Sequence, residues 1–86
     1  MDTHPSADAR ALTRLRESHP GWDIERFGAL KGGRDVWMAT RTRVLTAGEM
    51  RGGLLHSLIG DAAERLRDAL ADQRRIELGA ARERAR

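Results

Sequence analysis

Two short runs, Gly21-Trp22-Asp23-Ile24-Glu25-Arg26-Phe27 and Val36-Trp37-Met38-Ala39-Thr40-Arg41, hold both tryptophans of the chain and constrain its fold more than any other feature. In each run apolar and polar residues recur at a spacing near two, as in a strand with one buried face. Lys31-Gly32-Gly33-Arg34 lies between them, and its glycines supply the positive-φ residues that a hairpin turn needs. The middle of the chain is therefore expected to be an antiparallel hairpin with a tryptophan on each arm. Val36, Met38, Thr40, Thr42 and Val44 keep the period of two, which allows the second arm to run on through Leu45.

Helical signals flank the hairpin. Ser6 is a candidate N-cap for a helix from Ala7 to about Ser18, with Asp8 in its first turn and Ala11, Leu12 and Leu15 as an apolar stripe. Pro20 disfavours helical geometry at His19, and Gly21 adds a second break. After the hairpin, Thr46 and Glu49 have capping-box spacing, but Gly52-Gly53 limits any helix there to about a turn, so the segment reads as a linking loop. Leu54 to Ile59 is short, apolar and flanked by glycines, and is expected to be a third strand. Asp61 and Glu64 open a C-terminal helix with a capping-box-like pair. Ala62, Leu66, Ala69, Leu70, Gln73 and Ile76 share one of its faces at the 3.6-residue period, and Arg67, Asp68, Arg74 and Arg75 point elsewhere.

The order helix, strand, strand, strand, helix predicts an α+β fold, a three-stranded antiparallel sheet packed in two layers with an N-terminal and a C-terminal helix. Residues 1–86 read as a single domain, with 1–5 and about 79–86 as frayed tails. A core built from two Trp, one Phe, ten Leu, three Ile and two Val supplies about 5 kcal/mol or less of stability. Homodimerisation is an ordinary way for so small a domain to bury more surface.

Composition and motif spacing argue against most chemistries. There is no cysteine, hence no disulfide framework or thiolate metal site. No run approaches the roughly 18 apolar residues of a membrane span, and the N-terminus has no apolar signal core, so no membrane association and a cytoplasmic location are expected. His4, His19 and His56 share no metal-ligand spacing. His56 and Ser57 are adjacent, and within a strand they would point to opposite faces and could not form a base–nucleophile pair. Neither Gly-Gly pair is followed by the Lys-Ser/Thr of a phosphate loop. The chain is thus expected to be non-enzymatic and to need no metal or cofactor.

Binding is the remaining class. Formal charge is +3, but 13 acidic residues are interleaved with 16 basic ones, a mixture that usually makes a solvated surface. Trp22 and Trp37 with Arg41 and Arg43 are the candidate binding surface, since aromatic and Arg side chains are enriched at protein interfaces. Leu78, Ala80, Ala81 and Ala85 would let an extended C-terminal helix pack on a second copy. The alternative is nucleic acid, stacked and held by Trp37, Arg41 and Arg43 on a sheet face with Arg74 and Arg75 on the helix. Against both stands a reading in which the tryptophans are core and the arginines snorkel at the sheet edge. The element order is also that of double-stranded-RNA-binding domains, but Asp61-Ala62-Ala63-Glu64 would repel phosphates where those domains carry lysines.

His19-Pro20-Gly21-Trp22-x-Ile24, Trp37-x-Ala39-Thr40-Arg41 and Leu54 to Ile59 running into Asp61-Ala62-Ala63-Glu64-Arg65-Leu66 resemble a group of uncharacterised short actinomycete proteins encoded beside helix-turn-helix regulators. The resemblance covers about Leu12 to Glu77, implies a regulatory accessory protein, and carries over no catalytic residues. A weaker similarity, three strands plus a Leu-containing helix, links the chain to HicB-type antitoxins, whose Gly-rich approach to the helix it lacks.

Overall fold

Pro20 ends the first helix at the expected place: α1 spans Ala7–Ser18, and the His19 amide closes it onto the Leu15 carbonyl at 3.0 Å. The computed structural model describes residues 7–28 and 35–84. After α1 come β1 (Trp22–Phe27), β2 (Val36–Arg41), α2 (Ala47–Arg51), β3 (Ser57–Gly60) and α3 (Ala63–Arg84). The strands form one antiparallel sheet in the order β1-β2-β3. The α+β architecture expected from the sequence is therefore present, with α2 added. Ser6 and the turn Lys31–Arg34 lie outside the described residues, as does the 1–5 tail.

The register explains the two faces. Trp22 pairs with Arg41, Ile24 with Ala39 and Arg26 with Trp37, while Ala39 also pairs with Leu58. Side chains alternate across a strand, so these residues share one face. Both long helices cover it: Leu15 of α1 and Leu66 and Leu70 of α3 join Ile24, Trp37, Ala39 and Leu58 in the core. Trp37, Leu66 and Leu70 are the largest fully buried side chains. Arg16 reaches from α1 to the Ile24 carbonyl at 2.9 Å. Arg26 bridges Asp8 of α1 and Asp35, with its guanidinium 5.7 Å from the Trp37 ring.

Several boundaries differ from the sequence reading. The second strand stops at Arg41: the Thr42 amide and hydroxyl still donate to the Gly21 carbonyl opposite, but the chain bends at Thr42 and Arg43 and leaves the sheet. Val44, expected in the strand, is 86% exposed. Residues 47–51 form a short helix where a loop was expected: the Thr46 hydroxyl accepts from the Glu49 amide and the Glu49 carboxylate accepts from the Thr46 amide, a complete capping box. Gly53, at φ 104°, then reverses the chain in a conformation that favours glycine. Leu54 and Leu55 do not enter β3, since the Leu55 amide is taken by the Gln73 side chain. At the far end β3 includes Gly60, where a Cβ would stand 3.1 Å from the Leu66 amide nitrogen. Helix α3 starts at Ala63; Asp61, ahead of it, pairs with Arg65. It continues through Gly79 to Arg84, past the point where fraying was expected. A helix of this length spans about 33 Å.

Candidate functional site: a buried arginine and its cleft

Of the six residues singled out by sequence, four line one cleft: Trp22, Arg41, Arg43 and Arg74. Trp37 and Arg75 do not. Trp37 is 1% exposed and belongs to the core, as the core reading of the tryptophans had it. Arg75 is exposed on α3 and ion-paired with Asp72.

Arg41 organises the site. As the last residue of β2 it faces the helices, and only 6% of it is exposed. Nε donates to the Leu55 carbonyl at 2.8 Å, Nη1 to Glu77 Oε1 at 2.6 Å and Nη2 to Gln73 Oε1 at 2.9 Å. Its guanidinium stacks 4.2 Å from the Trp22 ring centroid. Gln73 completes the network: Oε1 also accepts from the Leu55 amide and Nε2 donates to the Gly53 carbonyl at 3.2 Å. One planar cation and one amide thus tie β1, β2, the 53–55 segment and α3 together. No buried side-chain polar atom among the described residues lacks a partner, the condition under which a buried charge is tolerated. Arg41 is therefore enclosed, and is not the projecting cation that the binding readings required.

The cleft beside this network encloses about 270 Å³ between the turn after α1, the end of β2 and the middle of α3. His19 lies on one side, its pKa lowered first by burial and then by the charge of Arg74. Arg43, on another side, makes two bonds to Glu49, at 3.1 and 2.7 Å. That pairing, together with the Thr46 amide, draws Glu49 down to about 2.

The opposite sheet face is open. It carries Asp23, Glu25 and Phe27 from β1, Val36, Met38 and Thr40 from β2, and Ser57 and Ile59 from β3. Phe27 is 47% and Ile59 68% exposed, and Val36 and Met38 are half-buried. Phe27 pairs with Val36 and Met38 with Ile59, so the apolar side chains form one patch. None of the described residues on this face is basic.

His56 and Ser57 do meet, contrary to the sequence reading: Nδ1 lies 3.3 Å from Oγ, because His56 sits in a bend before β3 begins. Both are exposed, and no carboxylate among the described residues hydrogen-bonds the imidazole. No group of three or more His, Asp or Glu among the described residues is placed to hold a metal ion, and no described helix is long and apolar enough to cross a membrane.

Gln73, Glu77 and His19 complete the site but were not identified by sequence reasoning. The available signal was Gln73 itself, a polar residue on the apolar stripe of α3, where burial demands a hydrogen-bonding partner. Comparison of the chain with protein families, with curated proteins and with solved structures finds no match.

Proposed function

We propose that this protein is a non-enzymatic interaction module, a homodimer whose two copies pack through the open sheet faces. The observation that carries the reading is the apolar patch of exposed Phe27 and Ile59 with half-buried Val36 and Met38, on a face with no cation among its described residues. A domain of 86 residues with one covered sheet face has little core, and a second copy laid on that patch would bury what the helices leave uncovered. Asp23 and Glu25, on the outer strand β1, would remain solvated at the rim. The resemblance noted above implies a regulatory accessory role for such a module.

The acidic character of the same face weighs against nucleic acid there, as like charges repel a phosphate backbone. On α3, Arg65, Arg67 and Arg75 each have an acidic neighbour. Light scattering combined with a salt titration against mixed DNA and RNA tests the reading. A dimer indifferent to nucleic acid supports it; a monomer whose nucleic-acid affinity falls steeply with salt overturns it.

A further inference from the structure

We propose that the cleft flanked by His19, Trp22, Arg43 and Arg74 binds a small oxyanion, a phosphate or carboxylate group carried on a compact ligand. The site lies on the helix-covered side of the sheet and does not rest on the dimer reading.

Charge balance is the first argument. Three arginines, Arg41, Arg43 and Arg74, line the cleft with a single carboxylate, Glu77. Glu77 is engaged by Arg41, and Arg43 is answered by Glu49 outside the lining. Arg74 makes no ion pair with any described residue, and its field presses on the neighbouring imidazole. The cleft therefore holds an excess of positive charge that an anion would neutralise.

Donor geometry is the second. A guanidinium has five N–H groups, and Arg41 directs one from each nitrogen into the network. One N–H on each terminal nitrogen is left, on a side chain locked in place by burial and by the Trp22 ring. Ser18 also lines the cleft, as does Thr42, whose hydroxyl is committed to the Gly21 carbonyl. Preorganised donors of this kind favour oxyanions, because no side chain has to be ordered on binding.

Size and walls set the ligand class. The 270 Å³ volume lies just below the range of drug-sized pockets, and Trp22 and Leu70 add an apolar wall for a short organic body.

The test is a ¹⁵N-correlation NMR titration of the full chain with inorganic phosphate and, separately, with acetate. Saturable shifts of the Gly21 amide and the Trp22 indole N–H, with the His19 titration midpoint moving upward as the anion fills the cleft, are expected for at least one anion. The tighter of the two identifies the head group. Arg74→Ala should weaken binding about tenfold, the worth of one charge-assisted hydrogen bond. Arg75→Ala removes the same net charge outside the cleft and should leave affinity unchanged. Absence of saturable shifts with both anions, or equal weakening by the two variants, would overturn the proposal. So would a mixed-sequence DNA duplex that displaces phosphate with an affinity dependent equally on Arg74 and Arg75.

Discussion

At the scale of single residues, the tightest constraint is the pair Arg41 and Gln73. Replacing Gln73 with Leu keeps the volume but leaves the Leu55 amide and the Gly53 carbonyl without their partner. The expected cost is about 2–3 kcal/mol, read from the shift of the urea midpoint. Arg41→Ala should cost about 3 kcal/mol or more, since it opens a cavity beside Trp22 and strips the donor from the Leu55 carbonyl. Arg41→Lys should recover only part, because a point charge cannot reach Leu55, Gln73 and Glu77 together. Either loss is large for a domain whose core supplies about 5 kcal/mol or less. Two titrating groups give stability a pH dependence of fixed sign. His19 has a folded pKa below 6.5, so the unfolded chain binds the extra proton, and stability falls as pH drops below about 6.5. Glu49, ordinarily at 4.5, is held at about 2, so its contribution is complete above 4.5 and vanishes as pH falls through 2. Arg74→Ala should raise the His19 pKa in an NMR titration; an unchanged value would mean that burial alone sets it.

At the scale of elements, α2 and α3 offer separate tests. Thr46→Ala breaks the capping box and should destabilise by about 1 kcal/mol, with faster amide exchange in residues 47–51. Gly79 sits inside α3 with open space where a Cβ would go, so Gly79→Ala should stabilise by up to about 1 kcal/mol. Gly60→Ala should do the reverse, since the added carbon meets the backbone at the start of α3. The long elements were legible in the sequence because their periodicity has a physical cause: α1 and α3 each present one apolar stripe to the sheet, and the hairpin arms alternate about Trp22, Ile24, Trp37 and Ala39. Alternations and pairings with no burial behind them do not become structure. Val44 keeps the strand period, yet the bend at Thr42 and Arg43 takes the chain out of the sheet before it. Leu54 and Leu55 look like strand residues, yet a side chain 18 positions after Leu55 takes its amide. Thr46 and Glu49 have the spacing that starts a helix, and Gly52-Gly53 confines it to the five residues of α2, a single short element and not the loop expected. Trp22, Arg41, Arg43 and Arg74 line one cleft, but Arg41 is a buried tie there and not part of an open surface. Its enclosure depends on Gln73 and Glu77, more than 30 positions away, a distance no local pattern spans.

At the scale of the whole molecule, the two sides of the sheet differ in kind. One is closed by α1 and α3 over a continuous core, and at its end holds the Arg41 network and a cationic cleft. The other is an apolar patch beside two carboxylates, the surface through which two copies are proposed to associate. Changes on the two sides should therefore be separable: Gln73→Leu should lower stability, and Arg74→Ala should change anion binding without altering the association state. Ile59 is 68% exposed at the patch, so Ile59→Asp should leave the folded protomer intact while placing a desolvated charge in any interface. The most direct measurement is sedimentation equilibrium of the wild-type chain and Ile59→Asp over a wide concentration range. Pairing through the open face predicts twice the 9.6 kDa chain mass for wild type and the single-chain mass for a folded Ile59→Asp. A wild-type monomer throughout, or a dimer that Ile59→Asp leaves undisturbed, would contradict it.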